Sequence, residues 1–361
     1  MRLTTLCTLL RDWINNIACN KVKKPYSMLF YVTESANWSI RQDGIYITKN
    51  LNNQKLLKAK ITTAHKDIHN QIIHLGSVNT FLTSQGFRIP HSSNKVVLTW
   101  FHVVPDDPRI RLVKEAQKYV DVVHTASTVT KEKLIEIGIP EEKIVVIPLG
   151  VDLNLFKPVS FEEKQKLREK LGIAKDKLVV GSFQKNGVGW AEGLEPKLVK
   201  GPDIFIRVVE RLAKNYPIFV LLVGPARGYV KVNLERKGIP YGNIGYLKDF
   251  KDVAKYYGAL DFYLITSRIE GGPKAILEAM ASGVPTVSTK VGMVEDTVKD
   301  GKEVLLAEPE DVQEIVRKSM RIMENENLRN TLVRNSLTTA QNYSWEKIAR
   351  RYFKEIYSNL L

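Results

Sequence analysis

The stretch Glu270-Gly271-Gly272-Pro273-Lys274-Ala275-Ile276-Leu277-Glu278 decides how this chain is expected to fold. The apolar run before it, residues 260–265, is typical of a buried strand. Pro273 suits the first turn of a following helix, and Gly283 suits the position just past the end of that helix. A strand, a glycine-rich turn and a helix in this order direct unpaired backbone N–H groups and the positive end of the helix dipole at one spot. The stretch therefore predicts a site for a phosphate or another anion.

A carboxylate stands at each end of this stretch, Glu270 in the turn and Glu278 in the helix. Two acids would repel a bare phosphate, so they indicate a ligand that also has hydroxyl groups to which carboxylates can hydrogen-bond. A sugar nucleotide has both phosphates and hydroxyls. We therefore interpret the stretch as a binding site for a sugar nucleotide.

Length and composition indicate a soluble globular protein with two domains. The 361 residues are enough for two cores of ordinary size, and contents of 44% apolar and 26% charged residues are typical of soluble chains. Cys7 and Cys19 form neither a disulfide framework nor a metal-ligand cluster. Apolar runs are too short to span a bilayer, and Arg11 and Asp12 interrupt the apolar part of the N-terminus, so a secretory signal is not expected. The sequence therefore predicts a cytoplasmic location.

The net charge of +15 fits either an anionic partner or an excess of ordinary solvated lysines. Apolar residues recur at helical spacing between positions 3 and 18, and lysines follow at positions 21, 23 and 24. Residues 1–24 could therefore form an amphipathic leader helix that associates peripherally with the inner face of an anionic membrane, or a helix that packs on its own domain. A nucleic-acid partner is not expected, because basic residues are spread along most of the chain and no nucleic-acid motif is found.

Short apolar runs alternate with helical patterns along the rest of the chain. Because strands that alternate with helices form parallel sheets with helices on both faces, this order predicts an α/β fold. The predicted strands are residues 27–33, 71–75, 95–100 and 121–126 in the first half, and residues 178–183, 218–223, a strand around Gly245, 260–265, 286–288 and 304–306 in the second half.

Further segments carry a resemblance to a known family. The helix of the central stretch continues as Glu278-Ala279-Met280-Ala281-Ser282-Gly283-Val284-Pro285. In the first half, Ile144-Val145-Val146-Ile147-Pro148-Leu149-Gly150-Val151-Asp152 is followed by Phe156-Lys157-Pro158. Together with the two glutamates, these segments resemble the signatures of the retaining GT-B glycosyltransferases of the family 4 type, the glycosyl transferases group 1.

The resemblance implies the GT-B fold, in which two Rossmann-like domains face each other across a cleft. It implies an N-terminal, acceptor-side domain at residues 1–155 and a C-terminal, nucleotide-sugar-binding domain at residues 156–340. A C-terminal helix within residues 341–361, opened by Ser344-Trp345-Glu346, would cross back to the N-terminal domain. The implied co-substrate is a nucleoside-diphosphate sugar, and no further cofactor is implied.

The resemblance also implies roles for residues around the central stretch. Glu278 is expected to accept hydrogen bonds from the ribose hydroxyls, and Glu270 to lie near the donor sugar and its reacting carbon. The other donor-binding residues are expected to act through backbone groups or beside the base, and they are Gly271, Gly272, Pro273, Gly224, Tyr246 and Leu247.

Positive charge is needed where a nucleoside diphosphate leaves. The family places one basic residue shortly after the first strand of the second domain and another in a Lys-Gly pair, which implies Lys185 and Lys200 here. The chain departs from the family at the first of these places, because the family more often has arginine directly after the glycine, where Ser182 stands. An unusually long insert, residues 186–199, separates the two lysines, and the sequence assigns it no role.

His102 is a further candidate catalytic residue. It ends the segment Trp100-Phe101-His102, and many family members place a histidine there, near the donor sugar and the acceptor. A neutral imidazole at this place could hydrogen-bond a sugar hydroxyl. After the first strand, residues 34–39 stand where family members usually have a glycine-rich loop, so the acceptor side departs from the family pattern.

A metal site is not expected. The sequence has no Asp-x-Asp pair, and the residue between His65 and His69 that would be glutamate in a zinc protease is Lys66. Lysines and helix N-termini are therefore expected to stabilise the leaving group.

The resemblance implies metal-independent transfer of a sugar from a nucleoside-diphosphate sugar to a hydroxyl of a glycan, lipid or other acceptor, with the anomeric configuration retained. An epimerase or a phosphorylase-like enzyme on the same architecture is one alternative. A basic nucleic-acid-binding protein and a catalytically inactive sugar-binding subunit are alternatives from other classes. Hydrolysis of sugar nucleotides, as opposed to salt-sensitive binding of RNA or DNA, distinguishes these readings.

Overall fold

The computed structural model describes residues 26–35, 39–83, 86–105 and 107–361. The hypothesis of a leader helix over residues 1–24 lies outside the described residues, as do Cys7 and Cys19. The chain divides into two compact units. Unit 1 contains the described residues up to Gly150 together with Trp345–Leu361, and unit 2 is Val151–Ser344.

Unit 1 is built on a parallel sheet of six strands in the order β2-β1-β3-β6-β7-β8. A two-stranded antiparallel ribbon, β4 and β5, accompanies it. The strands of unit 1 are β1 (Met28–Val32), β2 (Lys58–Thr62), β3 (Ile72–Leu75), β4 (Leu82–Thr83), β5 (Gly86–Phe87), β6 (Lys95–Thr99), β7 (Val122–Thr125) and β8 (Ile144–Val146). Its α-helices are α1 (Ser39–Asn53), α2 (Val78–Phe81), α3 (Val113–Ala116), α4 (Thr128–Glu136) and, from the C-terminal segment, α13 (Trp345–Glu355).

Most strands of this sheet are continuous apolar runs, because a parallel sheet is covered on both faces. All five residues of β1 are buried. The edge strand β2 is different, since Lys58 is exposed and Lys60 is half-buried. The sequence prediction missed β2 for this reason, because an edge strand with lysines lacks the apolar run by which the other strands were found.

The C-terminal segment belongs to unit 1. Trp345 at the start of α13 stacks on Tyr46 of α1, with ring centroids 5.4 Å apart. Gly150 lies against the same indole, and a Cβ added there would be 2.5 Å from the ring. At the start and end of unit 2, Val151 pairs with Ser344 as a parallel bridge.

A buried polar network connects the C-terminal segment to the sheet of unit 1. Nδ1 of His74 is 2.6 Å from the hydroxyl of Tyr357, and Nε2 of His74 is 2.7 Å from Oγ1 of Thr99. Thr99 Oγ1 is also 3.0 Å from Nδ1 of His124, whose Nε2 is 2.9 Å from the hydroxyl of Tyr352. Both histidines are fully buried, so water cannot hydrogen-bond to their ring nitrogens, and these side chains satisfy the nitrogens instead.

Unit 2 is built on a second parallel sheet of six strands, in the order β11-β10-β9-β12-β13-β14. Its strands are β9 (Leu178–Ser182), β10 (Ile218–Leu222), β11 (Tyr241–Asn243), β12 (Phe262–Ile265), β13 (Thr286–Thr289) and β14 (Leu305–Ala307). Its α-helices are α5 (Phe161–Lys170), α6 (Pro202–Ala213), α7 (Gly228–Arg236), α8 (Val253–Tyr257), α9 (Lys274–Ala281), α10 (Val294–Thr297), α11 (Val312–Glu324) and α12 (Glu326–Ala340). The alternation of strands and helices confirms the predicted α/β class.

Amphipathic helices cover the second sheet. In α6, the apolar residues Ile204, Phe205, Val208, Val209 and Leu212 are buried at helical spacing against the sheet. Burying such side chains contributes roughly 1.5–3 kcal/mol each. The order β9 to β12 to β13 places the ends of three strands side by side at one edge, where the central stretch lies.

Two local predictions in unit 2 were wrong. The strand predicted around Gly245 ends at Asn243, and Gly245 lies in the following loop with a φ of +66°. Pro273 is the N-cap of α9 rather than a residue of its first turn, whereas Gly283 follows the end of the helix with a φ of +68°, as expected. Among the described residues, none of the helices combines the length and the apolar character needed to cross a membrane.

The stability of unit 1 is expected to fall as the pH falls from 6.5 towards 4. Burial is the main reason that the pKa of His124 is lowered from 6.5 to about 4. In that window the unfolded chain binds a proton that the folded chain does not, which removes up to about 3 kcal/mol of stability for this histidine. The pKa of His74 is lowered as well, chiefly by burial. Urea unfolding measures the free energy of unfolding at pH 7 and at pH 4. The decrease between the two should be smaller for His124→Gln than for the wild type, whereas His91→Gln, in an exposed loop, should show the same decrease as the wild type. Equal losses in all three proteins would contradict this expectation.

Candidate functional site

The central stretch lies where the sheet of unit 2 presents the carboxyl end of β12. Thr266 and Ser267 continue from β12 and are buried, and the turn that contains Glu270 follows. The hydroxyl of Ser267 donates to Oε1 of Glu270 at 2.9 Å. The carbonyl oxygen of Gly271 accepts a hydrogen bond from the backbone N–H of Met293, which anchors the turn to the segment after β13. The turn is therefore held from both sides before any ligand binds.

Lys200 reaches Glu270 from a different loop. Its Nζ lies 2.5 Å from Oε2 of Glu270, and the exposed fractions of the two side chains are 22% and 8%. The loop is docked by its backbone, because the N–H groups of Arg268 and Ile269 both donate to the carbonyl oxygen of Val199. The structure thus brings together two sequence-predicted residues that are 70 positions apart.

Gly201 explains why a glycine follows this lysine. It has a φ of +60°, and a Cβ at this position would lie 1.8 Å from the carbonyl oxygen of Thr266. The hydroxyl of Thr266 in turn donates to the carbonyl oxygen of Gly201 at 2.9 Å. A residue with a side chain would push the loop away from β12 and would separate Lys200 from Glu270.

Glu278 is buried on α9, where its Oε2 accepts a hydrogen bond of 2.9 Å from the hydroxyl of Tyr257. Burial, and then the charge of Glu278, raise the pKa of Tyr257 well above its ordinary value, so the phenol stays protonated as the donor. The ring of Tyr257 packs against Phe183 and Tyr263, at centroid distances of 4.8 and 5.4 Å. Sequence reasoning missed Tyr257, because the short helix that carries it has no motif.

Lys185 lies beside an aromatic residue of the insert. Its Nζ is 4.0 Å from the centroid of the Trp190 ring, which is a cation–π contact. Desolvation lowers the pKa of Lys185 below its ordinary value. The pKa of Lys197 is also lowered, chiefly by burial of its charged end and next by the charges of Lys200 and Lys185, whereas Glu270 raises it. The insert therefore adds a third lysine to this region, one that the sequence prediction did not include.

The insert packs closely against the backbone of the loop after β10 and the start of α7. A Cβ at Gly187 or Gly193 would lie 2.6 or 2.5 Å from the carbonyl oxygen of Ala226, which follows β10. The carbonyl oxygens of Glu192 and Gly193 accept hydrogen bonds of 2.6 and 2.9 Å from the N–H groups of Gly228 and Tyr229. These are the first two N–H groups of α7, so the insert occupies them, and they are not available to an anion.

A pocket of about 360 Å³ opens beside the insert and the loop after β10. Gly224, Tyr246, Trp190 and Arg227 are among its lining residues. Gly224 has a φ of +104°, and its N–H donates to the carbonyl oxygen of Gly245, which also lines the pocket. Tyr246 is largely exposed at the pocket, whereas Leu247 is half-buried and does not line it.

The remaining predicted residues have the following places. Gly272 and Pro273 lie in the turn between Glu270 and α9, which Gly292 approaches so closely that a Cβ there would be 2.4 Å from the carbonyl oxygen of Gly271. His102 is exposed in unit 1, in the loop after β6. Within the described ranges of the chain, no three of the histidine, cysteine, aspartate and glutamate side chains are grouped as metal ligands would be.

Gly201→Ala is expected to destabilise unit 2 far more than a comparable substitution elsewhere. Gly238, after α7, has a similar φ of +64° but open space at its Cβ position, so Gly238→Ala should cost only about 1–2 kcal/mol for the left-handed backbone. Gly201→Ala adds the clash with Thr266 and should cost several kcal/mol in all. Chemical unfolding of both variants measures the difference, and equal losses would show that the loop moves freely.

Comparisons with known proteins agree with this architecture. Residues 193–338 match the family described as glycosyl transferases group 1, and residues 50–155 match glycosyltransferase family 4. An uncharacterized glycosyltransferase of Methanocaldococcus jannaschii is 29% identical over 162 residues, which are 44% of this chain and 45% of that protein. Mannosylfructose-phosphate synthase of Agrobacterium fabrum is 29% identical over 247 residues, which are 64% of this chain and 51% of that enzyme. This chain therefore spans about half the length of these curated relatives.

A solved structure extends the likeness to the whole fold. Anabaena HepE in complex with UDP-glucose matches 92% of this chain and 100% of its own, with a TM-score of 0.73 and 21% identity. The likeness confirms the predicted GT-B fold. Since the two matched families together cover residues 50–155 and 193–338, in both units, the chain belongs to the glycosyl transferases group 1, of the family 4 type.

Proposed function

We propose that this protein transfers a sugar from a nucleoside-diphosphate sugar to a hydroxyl of a glycan, a lipid or another acceptor, with the anomeric configuration retained. The observation that carries the proposal is the arrangement of two carboxylates around one glycine turn. Glu270 is oriented by Ser267 and Lys200, and Glu278 is oriented by Tyr257. Such pre-oriented carboxylates suit a ligand with hydroxyl groups at two separate places.

The two carboxylates are assigned different roles. Glu278 accepts hydrogen bonds from the ribose hydroxyls of the donor, and its buried position makes each such charged bond worth roughly 1.5–3 kcal/mol. Glu270 accepts hydrogen bonds from the hydroxyls of the transferred sugar. Gly271 and Gly272 present backbone rather than side chains to the same ligand, which allows it to approach closely.

Lysines stabilise the leaving group in this proposal, and no metal takes part. The departing nucleoside diphosphate gains negative charge, and Lys185 and Lys200 both lie close enough to Lys197 for their charges to lower its pKa. Positive charges held in place before the reaction stabilise a developing anion without reorganisation. Lys200 stays paired with Glu270, which keeps both side chains in position between turnovers.

A front-face reaction fits the environment of Glu270 better than attack by a carboxylate. Ser267 and Lys200 each hydrogen-bond to one carboxylate oxygen of Glu270, and such bonds to the charged form make the carboxylate a weaker nucleophile. In the front-face reaction, the bond from the anomeric carbon to the phosphate oxygen breaks while a bond to the acceptor oxygen forms on the same face. The acceptor proton passes to the departing phosphate oxygen. His102 is assigned a hydrogen bond to a sugar hydroxyl as a neutral imidazole.

The donor can be identified with a panel of UDP-, GDP- and ADP-sugars. Thermal shift measures binding, and slow hydrolysis of the donor measures activation of the bond to phosphate. We expect one nucleotide class to stabilise the protein and to be hydrolysed at the same rate with and without EDTA. Loss of hydrolysis in EDTA would overturn the metal-independent mechanism. Salt-sensitive binding of RNA or DNA with no donor hydrolysis would favour the nucleic-acid reading instead.

Substitutions of the two glutamates are expected to separate binding from turnover. Glu278→Gln keeps an acceptor for Tyr257 but loses the charge, so donor affinity should fall roughly thirtyfold, which corresponds to about 2 kcal/mol. Glu270→Gln should mainly lower the rate of donor hydrolysis, because its hydrogen bonds to the sugar strengthen as the bond breaks. Glu169→Gln, on the exposed face of α5, is the matched control and should behave as the wild type. Unchanged affinity and rate in both site variants would refute these roles.

A further inference from the structure

Arg227 is a buried arginine to which the proposed reaction assigns no role. It stands at the N-cap of α7, it is among the residues that line the pocket beside the insert, and only 3% of the residue is exposed. Its Nη2 donates to the backbone carbonyl oxygen and to the hydroxyl of Ser182, at the end of β9. Its Nε and Nη1 have no hydrogen-bond partner among the described residues.

This arrangement leaves a positive charge without compensation. No carboxylate of the described part of the chain pairs with Arg227, and the pKa of its guanidinium is lowered to about 10, chiefly by burial. A buried charge that lacks a partner is strongly unfavourable, and buried polar groups in native proteins nearly always have partners. The carboxamide oxygen of Asn186, in the adjoining insert, is also buried and unpaired, but a neutral group cannot balance the charge. The missing partner is therefore an anion.

The position of the guanidinium identifies the anion. Ser182 occupies the place directly after Gly181 where the resemblance implies an arginine near the leaving group. The guanidinium of Arg227 lies on the backbone oxygen and on the hydroxyl of that same residue, so it fills the space into which a longer side chain at position 182 would extend. The positive charge that is absent from β9 is thus present at the same place, supplied by the loop after β10.

The N-terminus of α7, next to Arg227, cannot bind a phosphate. The first two N–H groups of α7 are occupied by the carbonyl oxygens of Glu192 and Gly193 of the insert, so the dipole of α7 is not open to a phosphate. A guanidinium presents several N–H groups in one plane and suits phosphate oxygens better than an ammonium does.

We infer that Arg227 binds the diphosphate of the donor and replaces, from a neighbouring loop, the arginine that Ser182 displaces. Two oxygen atoms of the diphosphate accept from Nε and Nη1, while Nη2 keeps its bonds to Ser182. This role deepens the proposed function and rests on it, because it requires a nucleoside-diphosphate ligand.

The test compares nucleoside diphosphates with nucleosides. The probe is whichever of UDP, GDP or ADP binds the wild type most tightly, together with its nucleoside, and the readout is the dissociation constant from calorimetry. We expect Arg227→Met to lower the affinity for the diphosphate at least tenfold and to leave the affinity for the nucleoside unchanged. Arg236→Met, at the exposed end of the same helix, is the matched control and should leave both affinities unchanged.

A double variant separates ligand binding from a merely structural role. Ser182→Arg combined with Arg227→Met returns a guanidinium to the same place from β9 and should recover most of the lost affinity. Two outcomes would show that the arginine only supports the insert and that the inference is wrong. One is an equal loss of affinity for diphosphate and nucleoside in Arg227→Met. The other is a double variant that recovers thermal stability but no affinity.

A measurement on the wild type covers the case in which Arg227→Met does not fold. The Nε–H signal of Arg227 in the NMR spectrum, assigned by its loss in Arg227→Lys, should shift when the diphosphate is added and stay in place with the nucleoside. Absence of that shift under saturating diphosphate would overturn the inference. If the wild type binds none of the three diphosphates, the proposed function itself fails, which is a distinct outcome.

Discussion

The contact between Lys200 and Glu270 depends on one close approach of two backbones. The loop that ends in Gly201 lies against the end of β12 so tightly that the carbonyl oxygen of Thr266 occupies the place of a Cβ. Only a glycine permits this approach, and its left-handed conformation turns the chain directly into α6. Because the lysine precedes that glycine, its ammonium group is delivered to a carboxylate on a different loop. A buried ion pair of this kind orients both groups, although its net stabilisation is small after desolvation.

The insert changes how this Rossmann-like unit presents positive charge. In open α/β sheets an anion usually binds at a helix N-terminus beyond a strand. After β10 that place is taken, because two carbonyl oxygens of the insert already accept from the first N–H groups of α7. Positive charge beside the pocket therefore has to come from side chains, and the insert keeps Lys185 in place through Trp190. The same segment that blocks the N-terminus of α7 also lines the neighbouring pocket, through Trp190.

Buried hydrogen bonds hold the C-terminal segment on the sheet of unit 1, whereas close backbone contacts hold the loops of unit 2. Its C-terminal segment places Tyr352 and Tyr357 on two histidines in the middle of the sheet. These groups hydrogen-bond to one another in a region that water does not reach, so they specify one alignment of the segment on the sheet. An apolar contact alone would tolerate a shift of α13 by one turn, whereas a hydroxyl that loses its imidazole partner would be left unsatisfied.

The sequence by itself determined the α/β class and most strands, because strands of a covered parallel sheet are continuous apolar runs that stand out locally. Its motifs indicated the GT-B family through their resemblance to that family. It also located Glu270 and Glu278, since both belong to a contiguous motif. It missed β2, whose lysines make an edge strand resemble a loop, and it placed a strand around Gly245, whereas β11 ends at Asn243 and Gly245 has a positive φ. Only the tertiary structure decided the pairing of Lys200 with Glu270, the tyrosine that holds Glu278, and the guanidinium on Ser182. Each of these contacts joins residues from different helices, strands or loops, and no local pattern encodes them because their distance is set by how the elements align on the sheet.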